Sequence, residues 1–148
     1  MDLSLAELYP LIAEGLSAGG TYRFYPKGKS MLPLLKEGAD SVVLSSVNSL
    51  KVGDIVLYRR KDGTFVIHRI VKMSNTLSMC GDNQFVIEKG VLTEQVLAKV
   101  TAIYKKDTLL SLDSFNYRFY SFLLPLRRFK LKSILFAKKI FRKVFKSR

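Results

Sequence analysis

The sequence predicts a mainly β domain preceded by one helix and followed by a basic amphipathic helix. Three observations predict it. The middle of the chain carries short β-like apolar runs separated by turn formers; a helical repeat of leucines stands before them; and after Asp113 the composition changes abruptly to Phe, Leu, Lys and Arg. With 148 residues there is room for one domain with appendages, and a hydrophobic content of 48% excludes a wholly disordered chain. The single cysteine, Cys80, excludes an internal disulfide and a cysteine-built zinc site.

Residues 2–18 place Leu5, Leu8, Leu11, Ile12 and Leu16 at helical spacing, with Gly19-Gly20 as a stop and Pro10 as the contrary signal. From Thr21 the pattern becomes β-like. Tyr22 and Phe24, then Ser41 to Leu44, Asp54 to Tyr58, Thr64 to Val71, Leu77 to Met79 and Val96 to Tyr104 read as strands of a compact antiparallel sheet. Turn signals fall between them, and Lys61-Asp-Gly63 is the clearest hairpin. In the stretch from Phe65 to Val71, alternation puts Phe65, Ile67, Arg69 and Val71 on one face and Val66, His68 and Ile70 on the other. Beyond Asp113, Pro125 marks a break, and a second helix is expected from about Leu126 to Lys146. Leu131, Ile134, Leu135, Ala137, Phe141, Val144 and Phe145 form its apolar stripe, opposite Arg128, Lys132, Lys139, Arg142, Lys143 and Lys146. The expected organisation is an N-terminal helix over 1–20, a β domain over 21–113 and a basic tail over 114–148.

Charge divides the chain the same way. The net charge is +13, yet residues 1–113 hold all 12 acids and a balance of +2, whereas residues 114–148 hold eleven bases and no acid. Such a tail favours anionic partners. A basic face opposite Phe and Leu suits an anionic membrane surface; the other reading is that the stripe packs on the domain while the cations are solvated. Nucleic acid ranks below lipid, because a Phe-rich face does not suit a DNA groove. No window approaches the 18 or so uncharged apolar residues of a membrane-spanning helix, and Asp2, Glu7 and Glu14 interrupt any leader-like run, so the expected location is the cytoplasm or the cytoplasmic face of a membrane.

Three segments carry candidate chemistry: Gly28-Lys-Ser30-Met31-Leu-Pro33, His68-Arg69-Ile70 and Gly81-Asp82-Asn83. A serine hydroxyl needs a base to attack a carbonyl at neutral pH, which makes Ser30 the candidate nucleophile. The one histidine, His68, has an ordinary pKa near 6.5 and can take that proton and return it to a leaving amine. Taken alone, Ser30 reads as a loop hydroxyl, His68 as a packed core residue and Asp82 as a turn residue; their order along the chain changes that weighting.

The three segments, with Glu37-Gly38 and Asp40, Lys51 to Val56 and Val100 to Tyr104 in the same order, resemble the signal peptidase I family, in the variant where histidine replaces the general-base lysine. The resemblance covers roughly residues 22–105. It implies a signal-peptidase/LexA-like β-fold, a serine endopeptidase working without metal or organic cofactor, and a peptide or precursor protein as substrate. Asp82 is then the residue that orients His68, and the Ser30 backbone N–H donates to the oxyanion. Two departures stand out. Many relatives carry a serine where this chain has Gly28, and signal peptidases of this type are normally held by a transmembrane helix, so their usual exported substrates do not transfer with the machinery. The alternative is a catalytically silent peptide- or membrane-binding module with the same fold.

Overall fold

The computed structural model describes residues 5–145, with side chains except at Ala6 and from Ile140 onward. Two helices, α1 (Leu5–Ser17) and α2 (Phe115–Phe145), flank eight strands: β1 (Tyr22–Phe24), β2 (Asp40–Ser45), β3 (Ile55–Arg59), β4 (Phe65–Met73), β5 (Leu77–Cys80), β6 (Glu88–Val91), β7 (Val96–Lys105) and β8 (Thr108–Leu110). The fold is therefore mainly antiparallel β with one short and one long helix. The strands run β1-β2-β7-β3-β4-β5-β6 across one sheet, and β8 also pairs with β7. Long β7 serves both halves of the sheet: its later residues pair with β2, while on its other side β3 and then β8 take successive stretches.

Each expected strand is present, and the sheet gains two that the sequence pattern did not mark, β6 and β8. The Lys61-Asp-Gly63 turn joins β3 to β4: Arg60 N–H donates to the Thr64 carbonyl at 2.8 Å, and Thr64 N–H to Asp62 Oδ1 at 2.9 Å. Helix α1 stops where Gly19 takes φ +81°. There Gly20 N–H reaches the Gly15 carbonyl at 2.9 Å and Gly19 N–H the Leu16 carbonyl at 3.0 Å, the paired bonds that close a helix C-terminus.

Apolar alternation in the strands produces two clusters, one on each side of β3. Ile55 and Leu57 join Ile12, Leu35, Val42 and Ile103 in the larger, which α1 covers. Val56 and Tyr58 point the other way, into a smaller cluster with Ile70, Leu77, Met79 and Val91. Ile67 belongs to the first and Val66 packs on the second, so β4 alternates as its sequence requires.

The second helix differs from expectation. It begins at Phe115 and runs through Pro125 without a break. Proline removes one backbone donor and crowds the preceding turn, but side chains on both sides of it, Tyr117, Tyr120, Arg127 and Arg128, bind the same patch of the domain and hold the helix together across it. Leu131 and Leu135, two members of the stripe expected from the sequence, line a cavity of the domain, Leu131 half-buried, while Arg128 of the expected basic face is also turned inward toward Asp82. The contributions expected from Phe141, Arg142, Lys143, Val144, Phe145 and Lys146 lie outside the described side chains.

Candidate active site

The segments bearing Ser30 and Asp82 are joined through the backbone, beside the end of the β4–β5 ladder. The β4–β5 ladder ends with Arg69 opposite Cys80, so His68 and Gly81 are the residues that adjoin its end. Gly81 in turn lies against the Ser30 segment: a Cβ there would fall 2.5 Å from the Ser30 carbonyl oxygen, so this position must be glycine for close approach. Asn83 fastens the contact. Its N–H donates to the Ser30 carbonyl at 2.8 Å and its Nδ2 to the Lys29 carbonyl at 3.2 Å. The turn around Ser30 closes through Leu32 N–H to Lys29 and Leu35 N–H to Met31, bonds that do not use the Ser30 N–H.

The Ser30 hydroxyl and the His68 ring are not hydrogen-bonded to each other. Ser30 lines a cavity of about 340 Å3 with mainly apolar walls, including Phe24, Met31, Leu57, Val66 and Ile67. His68 lines a second, of about 510 Å3, together with Gln84, Phe85, Val86 and, from α2, Leu131 and Leu135.

His68 is 3% exposed. Burial lowers its pKa to about 4, with the Arg60 cation adding to the effect and the Glu88 and Asp82 carboxylates opposing it. The ring is therefore neutral at pH 7. Its Nδ1 lies 3.3 Å from the Tyr58 hydroxyl, which donates its one hydrogen to Glu88 Oε2 at 2.7 Å. The hydroxyl can then only accept from the ring, so Nδ1 carries the proton and the basic lone pair sits on Nε2. Glu88 is held in turn by Arg60, whose Nη2 donates to Oε2 at 2.7 Å. Burial alone would raise the Glu88 pKa, but bonding to Arg60 and Tyr58 more than offsets it and holds the carboxyl ionised.

Asp82 does not fill the expected place beside the imidazole. It is wholly buried, and its carboxylate takes a two-point bond from Arg69: Nε to Oδ1 at 2.9 Å and Nη2 to Oδ2 at 2.7 Å. Tyr120 adds its hydroxyl to Oδ2 at 3.0 Å, and Arg128 Nη2 lies 3.9 Å from Oδ1. Arg69 spends its other nitrogen, Nη1, on the Gly53 carbonyl at 2.8 Å and the Tyr117 hydroxyl at 3.0 Å. Asp82 thus acts on the site through Arg69 and the loop it anchors. The chain sequence marks neither Tyr58 nor Glu88; the one available signal was that Tyr58 shares the alternating face of a strand that pairs with the one bearing His68. Among the described residues no three or more His, Cys, Asp or Glu side chains gather as a metal site would need.

No family model matches the chain, and no curated protein or solved structure matches it either. The resemblance to signal peptidases therefore rests on the motifs and their order.

Replacing Asp82 by Asn leaves the Arg69 guanidinium buried without its counter-charge, a loss of about 3–5 kcal/mol; a urea titration should show the midpoint falling accordingly. A pH effect also follows from His68. Its folded pKa lies below the unfolded value of about 6.5. Between those values the unfolded chain binds the extra proton, so the His68 contribution is complete above pH 6.5 and is lost as pH falls toward 4. Denaturant midpoints of wild type should therefore decline over that window more steeply than those of His68→Gln.

Proposed function

We propose that the protein is a serine endopeptidase of the signal-peptidase type, with Ser30 as nucleophile and Nε2 of His68 as general base. The observation that carries the reading is the clamp between Ser30 and the Gly81–Asn83 segment, which joins a serine of the Ser-Met-x-Pro element to the end of β5, the strand that pairs with the one bearing the chain's one histidine. In this reading Nε2 takes the hydroxyl proton as the oxygen attacks the scissile carbonyl. The same proton then passes to the leaving amine, and water releases the acyl group by the reverse sequence. Hydrogen bonds of this kind commonly close only when substrate is bound. Tyr58 is the positioning residue that fixes the tautomer, with Glu88 behind it, in the part that Asp82 had been expected to play.

The substrate class follows from the surroundings of Ser30. β1 is an edge strand that leads directly into the Ser30 loop, so a peptide can add to it in extended form. Its main chain supplies affinity, and an apolar side chain near the scissile bond fills the 340 Å3 cavity. A small peptide precursor in the cytoplasm, or at the cytoplasmic face of a membrane, fits this description. Among the described residues no helix is long and apolar enough to cross a membrane. The second reading, a silent peptide-binding module of the same fold, is favoured by one observation, the missing hydrogen bond between the Ser30 hydroxyl and the imidazole.

A serine-reactive fluorophosphonate separates the two readings. Stoichiometric labelling that disappears in Ser30→Ala, with hydrolysis of a peptide library lost in both Ser30→Ala and His68→Ala, is the expected result. Labelling retained in Ser30→Ala, or cleavage surviving without His68, overturns the assignment. Tyr58→Phe keeps the ring but removes the acceptor for Nδ1–H; kcat should fall roughly tenfold with KM unchanged, the value of about one hydrogen bond.

A further inference from the structure

Helix α2 presents two unlike faces. Tyr117, Tyr120, Leu124, Arg127 and Arg128 lie on the domain, while Phe115, Phe119, Phe122, Leu126, Phe129 and Phe136 face away from it, each between 52% and 78% exposed. The outward six recur at intervals of four, three, four, three and seven residues, which keeps them in one line along the helix. The line extends over roughly 30 Å at 1.5 Å per residue. Monomeric proteins rarely leave so long an apolar strip uncovered. It is also a different strip from the one the sequence pattern suggested, since Leu131 and Leu135 turn toward the cavity that holds His68.

We propose that this outer stripe of α2 is a docking surface for an anionic lipid bilayer, on which the helix lies flat with its phenylalanines among the acyl chains. Charge selects the occupant. Residues 114–148 carry eleven bases and no acid, and exposed Arg118, Lys130, Lys132, Lys138 and Lys139 accompany the stripe. A second copy of the chain would bring two such segments together and meet strong like-charge repulsion. An anionic headgroup layer attracts the cations and accepts the apolar face 5–10 Å below its surface, the arrangement of an interfacial helix.

Docking in this pose also orients the rest of the molecule. The face of α2 that helps wall the His68 cavity is opposite the lipid-facing stripe, so the cavity stands about one helix diameter, roughly 10 Å, above the bilayer interface. A peptide held at the headgroup level is then within reach. The docking surface itself does not depend on the peptidase assignment and is tested without any measurement of hydrolysis.

The experiment uses the full chain and vesicles of phosphatidylcholine with or without phosphatidylglycerol. Co-sedimentation with the anionic vesicles is expected, weakened severalfold when NaCl is raised from about 0.1 M to about 0.5 M and much weaker on pure phosphatidylcholine. The triple variant Phe119→Ser, Phe122→Ser, Phe129→Ser, which alters only outward positions, should reduce partitioning about tenfold or more. Because the chain contains no tryptophan, Phe122→Trp supplies an unambiguous reporter even if the triple variant folds poorly. Its emission should move to shorter wavelength on anionic vesicles and be quenched by brominated acyl chains. Unchanged emission in the presence of vesicles, binding that ignores the serine substitutions in a folded variant, or a stripe that drives self-association or protein capture while vesicles are left unbound, overturns the proposal.

Discussion

The buried pairing of Arg69 with Asp82 is the constraint from which the organisation of the site follows. Its side chains are 4% and 0% exposed. Arg69 comes from β4 and Asp82 from the loop after β5, while the Gly53 carbonyl joins from the loop before β3 and Tyr117 and Tyr120 from α2. Two ions taken out of water lose several kcal/mol of hydration each, and only a two-point bond with the remaining donors and acceptors filled restores it. The geometry is therefore narrow. Fixing Asp82 fixes Asn83 next to it, and Asn83 holds the Ser30 carbonyl. A charge pair on one side of β4 thus sets the position of a serine relative to the histidine on that strand's other side.

The environment of His68 follows from the same strand alternation. Facing the smaller cluster, the imidazole loses water and stays neutral, which is the state a general base requires. An ordinary solvated histidine would be partly protonated near neutrality and free to choose its tautomer. Here the Tyr58 hydroxyl, committed to Glu88, can only accept, and that commitment fixes the tautomer with the lone pair on Nε2. Glu88 stays ionised because Arg60 grips it, so the chain of bonds ends on a full charge near the surface instead of an unpaired group inside.

Much of the sheet could be read from the sequence because its strands are short runs rich in β-branched and aromatic residues bounded by turn formers. The segments that escaped notice lack that signal. β6, Glu-Lys-Gly-Val, buries one apolar residue, and β8 is three residues long; both form because a neighbouring strand offers an unpaired edge, which is a property of the fold and not of the segment. The partners of Asp82 and His68 were illegible for a related reason. A Gly-Asp-Asn turn does not say which cation will face it, and Tyr58 reaches His68 only through the register of β3 on β4. Gly81 was visible only as a turn former, whereas its place depends on a contact with Ser30, far away along the chain. Pro125 misled for a third reason: local propensity opposes a continuous helix, and several tertiary contacts on either side outweigh one lost backbone bond.

The exposed outer stripe of α2 is the part of the helix that the apolar spacing beyond Leu126 did not mark, and the ion pair accounts for it. An amphipathic helix normally turns its apolar face inward because the surface it covers is apolar. What α2 covers is Asp82 and Arg69, and a Phe/Leu face laid over them would strip their last hydration while offering no hydrogen bond. Tyr117 and Tyr120 solve this by bringing ring area and a hydroxyl together, and Arg128 adds positive charge on the side of the carboxylate. Once those residues are committed inward, helical geometry leaves the phenylalanines nowhere to go but out. The exposed stripe is thus a consequence of how the charged centre is roofed, and a chain that keeps such a stripe, with cations beside it and no acid after Asp113, has a physical reason to meet an anionic surface.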